Sequence, residues 1–188
     1  MIAYSEALDR ALIVAARAHR DQVRKGGDVP YVQHPVHVAI LLLKHGLDEA
    51  VVIAGVLHDV VEDTSVTLDD VRAEFGERVA ELVGAVSETK TDAGRHRPWR
   101  VRKEEQLATL AKAPLDVVAL KAADALHNGM STLRDVREHG DAAWGRFNAP
   151  KSDQHWIHRA VANLVRARLG DHPLARELED VVTALEKS

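Results

Sequence analysis

Residues 48–61, Asp48-Glu49-Ala50-Val51-Val52-Ile53-Ala54-Gly55-Val56-Leu57-His58-Asp59-Val60-Val61, read as a helix that is apolar on nearly every side. Such a helix must be surrounded by other helices, so this segment asks for a bundle. The rest of the chain agrees. Helix-period patterning runs almost throughout, alternating strand patterns bounded by turn residues are scarce, and the fold class is all-α. With 188 residues, 46% of them apolar, the chain can bury one sizeable core, and residues 1–188 read as a single domain.

Local signals divide the bundle. A first helix runs from 4 to about 24, with Ala7, Leu8, Ala11, Leu12, Val14, Ala15 and Ala18 on one face. Lys25-Gly26-Gly27-Asp28-Val29-Pro30 ends it, because glycine and proline break the hydrogen-bonded repeat. Pro35 suits the first turn of a second helix over about 35–45, closed by His45-Gly46. After the central helix, Thr67-Leu68-Asp69-Asp70 reads as an N-cap with an acidic first turn, opening a short helix that stops near Phe75-Gly76. Another follows from Glu77 to about Val86. The stretch 89–98 is polar, carries Gly94 and Pro98, and reads as a mobile loop able to cover a site. Pro114 opens a helix to about Glu138, and helices over about 152–169 and 173–186 complete the chain.

Composition narrows the chemistry. Cysteine is absent, which removes disulfides and thiolate metal sites, so any metal takes nitrogen and oxygen ligands. A formal charge of −4 supplies no broad basic field for nucleic acid, although Arg95-His96-Arg97-Pro98-Trp99-Arg100-Val101-Arg102-Lys103 is a local basic run. No apolar window is long enough to span a membrane, and Glu6, Asp9 and Arg10 interrupt the N-terminal apolar positions. A cytoplasmic protein is the expectation.

Within the central helix, His58 and Asp59 are followed closely by Glu62 and Asp63. Buried charge is costly unless paired, and imidazole beside carboxylate suits a divalent ion such as Zn, Mn or Fe(II). On a helix, Glu62 would stack on His58 and Asp63 on Asp59. Asp124, inside an apolar run with Asn128 one turn on, is the obvious distant carboxylate. His34, just before Pro35, is the obvious distant imidazole, with His37 and His127 as rivals. Four protein ligands leave an octahedral ion room for water and substrate. The plainer alternatives are a helix end at Glu62-Asp63, a buried acid at Asp124, and a purely structural bundle.

Three motifs together carry a resemblance: Arg24-Lys25-Gly26-Gly27-Asp28-Val29-Pro30-Tyr31-Val32-Gln33-His34-Pro35, then Val56-Leu57-His58-Asp59-Val60-Val61-Glu62-Asp63-Thr64, then Lys121-Ala122-Ala123-Asp124-Ala125-Leu126-His127-Asn128. Over about residues 4–135 the chain resembles the HD-superfamily phosphohydrolases, more narrowly the hydrolase domain of the RelA/SpoT alarmone enzymes and the stand-alone small alarmone hydrolases. That resemblance implies an HD-type helical bundle whose His34, His58, Asp59 and Asp124 bind one Mn²⁺, other divalent metals being alternatives. It implies that Glu62 and Asp63 orient or deprotonate the attacking water. Arg24, Lys25 and Asn128 would contact the nucleotide at base, phosphate and ribose-pyrophosphate respectively. The implied reaction is hydrolysis of the 3′-pyrophosphate of guanosine tetra- or pentaphosphate, giving GDP or GTP and pyrophosphate. From charge and position alone, and not from the resemblance, basic residues of 95–103 are expected to neutralise the remaining phosphates.

Alarmone synthesis is not expected, since the chain ends at Ser188, before a synthetase half. A small-molecule nucleotide is the expected partner, with neither nucleic acid nor membrane, and with room for a homo-oligomer. Two departures from the family's pattern stand out. The arginine-containing run after Asn128 is displaced or expanded by a residue or two, as Gly129-Met130-Ser131-Thr132-Leu133-Arg134, and the 87–103 segment is not a close match. Trp144-Gly145-Arg146-Phe147-Asn148 with the last two helices resembles a subgroup of stand-alone HD proteins whose substrates need not be alarmones. The competing readings are an HD phosphohydrolase acting on another nucleotide or phosphate ester, and a non-catalytic nucleotide sensor on the same fold.

Overall fold

The computed structural model describes residues 5–92 and 94–188. Tyr4, the expected start of the first helix, lies outside them. The architecture is all-α, as expected, and its residues group into two compact units. The first runs to Arg24 and resumes over Asp28–Thr89; the second takes Lys25–Gly27 and Lys90–Ser188.

The first unit is built around the apolar helix. Asp48 accepts a hydrogen bond from the Val51 N–H at 3.1 Å and so starts α3 (Glu49–Leu57), in which every residue from Val51 to Leu57 is buried. Helices α1 (Glu6–Ala18), α2 (Gln33–Lys44) and α6 (Glu77–Val86) pack against α3, and α5 (Leu68–Phe75) packs on α6. The α5 start is a full capping box: Thr67 receives the Asp70 N–H while the Asp70 carboxylate receives the Thr67 N–H. Bounds differ from the sequence reading in three places. The first helix ends at Ala18 rather than near Arg24, because the following residues pair elsewhere: Val23 bridges to Pro30, and the Tyr31 N–H donates to the Gln22 carbonyl at 2.9 Å. The second helix begins two residues before Pro35, so His34 already lies within its first turn. The expected unbroken helix over 48–61 is interrupted at His58-Asp59, after which a single turn, α4 (Val60–Asp63), completes it.

In the second unit a long helix, α8 (Leu115–His139), opens behind Pro114 and packs on α9 (Lys151–Leu169) and α10 (Pro173–Glu186). A 3₁₀ turn over Gly140–Arg146 folds back on α8, enclosing Leu133, Val136, Ala143, Trp144 and Leu185. The polar stretch 89–98 is not all loop. Thr91 pairs with His96 and Asp92 with Arg95 in a two-stranded antiparallel ribbon, β1 and β2. Next comes α7 (Trp99–Leu110), of whose residues Leu110 alone is buried. It is pinned to α9 at both ends: the Arg100 guanidinium lies 3.3 Å from the Trp156 ring centroid, and Arg168 donates to the carbonyls of Leu110 at 3.2 Å and Ala113 at 2.6 Å.

Close helix approach gives Gly55 a structural role. A Cβ on Gly55 would sit 2.5 Å from Leu42 Cδ1, so a side chain there would have to displace Leu42, which is fully buried. Gly55→Val should therefore lower stability by about 1–3 kcal/mol. The check is urea unfolding, with a lower midpoint at unchanged slope.

Candidate metal centre

His34 and His58 are nearly inaccessible, at 1% and 4% exposure, and the fold turns both inward for different reasons. His34 sits in the first turn of α2, where Tyr31 precedes it by three residues and its backbone N–H donates to the Tyr31 carbonyl at 2.9 Å. His58 sits at the break after α3. Its Nδ1 lies 2.8 Å from the Gly55 carbonyl, which can only accept, so Nδ1 carries the proton and the Nε2 lone pair faces outward from the helix. Asp59 follows with φ −98° and ψ −9°, in the bridge region that active-site residues often adopt.

These conformations bring three donors together. His58 Nε2 lies 3.2 Å and His34 Nε2 3.5 Å from the same oxygen, Asp59 Oδ2, and the two rings meet edge to face. Ligand atoms bound about 2.1 Å from one ion stand roughly 3 Å apart when adjacent, so this spacing matches a divalent metal. Two neutral imidazoles and a carboxylate are also a chemically suitable set, and all three ligand atoms lie within 4.8 Å of one another. His37, a rival in the sequence, is half-buried on α2 and outside the cluster.

Around the donors lies a hydrogen-bonded shell. The Tyr31 hydroxyl donates to Asp59 Oδ2 at 2.7 Å and approaches Asp63 Oδ2 at 3.4 Å. Burial, then the neighbouring Asp59 and Asp63 charges, push the phenol far above its usual range, so it stays a donor. His19, itself buried, stacks on Tyr31 at 4.8 Å and holds Gln22 at 2.7 Å; Gln22 in turn donates to the Asp63 carbonyl at 2.7 Å. The expected position of Asp63 over Asp59 survives the helix break, since the Asp63 N–H donates to the Asp59 carbonyl at 2.9 Å. Glu62 is held differently: its carboxylate accepts the Glu88 N–H at 2.9 Å. The Arg24 guanidinium lies 5.4 Å from the Tyr31 ring centroid. Sequence patterns alone assign no role to Tyr31, His19 or Gln22. The available signal was Tyr31 three residues before His34, within one turn of it.

Asp124, Asn128 and Lys25 belong to the second unit. Asp124 is 8% exposed on α8, where it accepts from Lys121 Nζ at 2.8 Å and from Asn128 Nδ2 at 2.6 Å, one turn away as the helical spacing predicts. His127 is buried on the same helix. Nearby on α9 the His158 imidazole is pushed down to about 4, first by the cost of burying its charge, then by His155; Asp124 opposes the shift, while Lys121 and Lys103 add to it.

The family model for the HD domain matches residues 11–147. The chain belongs to the HD-domain family. Among curated proteins it is 38% identical over 182 residues to a "GTP pyrophosphokinase" of Streptomyces coelicolor, covering 95% of this chain and 20% of that protein. It is 36% identical over 177 residues to the "Bifunctional (p)ppGpp synthase/hydrolase SpoT" of Escherichia coli K12, covering 93% and 23%. The chain thus spans 20–23% of the length of these relatives. One solved structure of similar size is described as "A metazoan ortholog of SpoT hydrolyzes ppGpp and plays a role in starvation responses"; it aligns with TM-score 0.80 and 29% identity over 97% of both chains. No helix among the described residues is long and apolar enough to cross a membrane.

Two outcomes follow for this HD domain. Tyr31→Phe keeps the ring but removes the donor to Asp59, and affinity for a divalent ion should fall about 10–100-fold, read by titration of metal-free protein. His158 predicts a pH effect. Between pH 6.5 and about 4 the unfolded chain binds a proton that folded His158 refuses, so metal-free protein loses stability as pH falls through that window. In His158→Gln the decline in melting temperature across it should be shallower.

Proposed function

We propose that this chain hydrolyses the 3′-pyrophosphate of guanosine tetra- and pentaphosphate, working in the cytoplasm as one HD-type domain with a single Mn²⁺. The observation that carries the proposal is the convergence of His34 and His58 on one Asp59 oxygen, with Glu62 and Asp63 in the adjoining turn. The whole-length likeness to a protein described as hydrolysing ppGpp supports the choice of substrate. The proposed ligand set is His34, His58, Asp59 and Asp124.

A bound divalent ion would lower the pKa of water and stabilise negative charge on phosphoryl oxygens. The residues of the chain do the rest. His58, its Nδ1–H held by the Gly55 carbonyl, turns the other ring nitrogen toward the ion, and Tyr31 fixes the Asp59 carboxylate. Ionised, Glu62 and Asp63 present only acceptor oxygens, and each is held by a hydrogen bond, so either can orient the attacking water and take its proton. Two carboxylates also repel a polyphosphate. Arg24 and Lys25 are proposed to offset that repulsion, Arg24 at the base and Lys25 at phosphate, with Asn128 a polar contact near the ribose. Basic residues of 95–103 would balance the outer phosphates.

Purified protein with Mn²⁺ should release pyrophosphate from guanosine tetraphosphate, with products resolved by chromatography against its adenosine analogue, dNTPs and nucleoside monophosphates. Glu62→Gln should cut turnover roughly 10²–10⁴-fold while the metal stays bound, whereas His58→Ala and Asp124→Ala should lose metal as well. Metal binding should weaken below about pH 6, where protons compete for the imidazoles. If the wild type ignores the tetraphosphate and cleaves a simpler ester, the alarmone reading fails and a phosphohydrolase of other specificity replaces it. If Glu62→Gln and Asp63→Asn both turn over like wild type, their role in the chemistry is refuted.

A further inference from the structure

Arg146 ends the 3₁₀ turn after α8, within the Trp144-Gly145-Arg146-Phe147-Asn148 run that the proposed chemistry leaves unused. Its guanidinium pairs with Asp135, lies 4.7 Å from the Phe147 ring centroid, and makes two further contacts. One nitrogen donates to the Thr132 hydroxyl at 3.1 Å; the other reaches the Lys25 carbonyl at 3.5 Å. From Thr132 the contacts continue inward along α8. The Thr132 hydroxyl donates to the Asn128 carbonyl at 2.9 Å, and the Asn128 amide donates to Asp124 at 2.6 Å. The polarity is consistent at every link, since each hydroxyl or amide donates once toward the Asp124 carboxylate.

The aliphatic stem of Arg146 is used too. Gly26, beside Lys25, holds φ +86°, and a Cβ there would stand 3.2 Å from Arg146 Cδ and 3.6 Å from its Cβ. One side chain therefore seats the Lys25–Gly27 turn with its stem while its head is bonded to the backbone of that turn and to α8.

We infer that Arg146 is a positioning residue for polyphosphate recognition: it fixes the Lys25–Gly27 turn relative to the Asn128 and Asp124 face of α8. This rests on the proposal that Lys25 and Asn128 hold the nucleotide. The physical reason is entropic. A lysine on an unfixed turn must lose backbone freedom when it binds phosphate, and a turn already fixed does not. A planar guanidinium with five donors spread over three nitrogens reaches Asp135, Thr132 and Lys25 together, whereas an ammonium, with its donors on one atom, reaches fewer.

The test is Arg146→Lys, which keeps the cation beside Asp135 but not the whole set. Its metal stoichiometry should match wild type and kcat on guanosine tetraphosphate should change by less than about threefold, while KM should rise roughly tenfold. In a Lys25→Ala background the same substitution should leave KM within about twofold, because the group it positions is gone. By ¹⁵N relaxation, the Gly26 and Gly27 amide order parameters should drop from about 0.85 toward 0.6. Wild-type KM in Arg146→Lys, or effects of the two substitutions that simply multiply, would reduce Arg146 to packing and charge and overturn the inference. If the wild type does not cleave the tetraphosphate, the alarmone reading falls separately; the relaxation measurement then decides alone, and unchanged order parameters refute the positioning role.

Discussion

A carboxylate oxygen that faces two buried imidazoles and a half-buried phenol sets the terms for the first unit of this fold. Asp59 Oδ2 is approached by His34, His58 and Tyr31 within 3.5 Å, and none of the three could be held so closely without the helices that carry them. His34 and Tyr31 require the α2 entrance to sit where it does, and His58 requires α3 to be enclosed by α1, α2 and α6. The Gly55 contact with Leu42 is part of the same requirement, since it sets how close α2 comes to α3. Polar groups taken from water need partners, and here the partners are one another.

Much of this was legible in the sequence because the decisive signals are local. Thr67 with Asp70, Pro114 and Pro173 mark helix starts by capping chemistry, and the helices behind them begin within a residue or two of expectation. His34, His58 and Asp59 were legible for a related reason: charged groups in apolar runs demand compensation, and the structure brings these three into ligand distance.

What was not legible lies where the backbone departs from the pattern of its residues. Residues 19–24 continue the helical pattern of α1, yet Val23 pairs with Pro30 and Gln22 with Tyr31, contacts that the helical period does not encode. The ribbon over Thr91–Asp92 and Arg95–His96 has two residues a side, too few to show alternation. The break at His58-Asp59 has no glycine or proline to announce it; its mark is the backbone of Asp59 itself. Tyr31 escaped notice because a tyrosine near a loop has many ordinary explanations, and only its bond to Asp59 separates this one from them.

The two-ended attachment of α7 divides that helix into parts under unequal constraint. Arg100 on Trp156 and Arg168 on the terminal carbonyls fix where α7 starts and stops, and both anchors reach α9. Between them Val101, Glu104, Glu105 and Ala108 are exposed, so substitutions there disturb little packing. Arg102 and Lys103 ride on the same stretch. α7 is in that sense a cassette: its exposed stretch can be exchanged while the two anchors keep the helix in place.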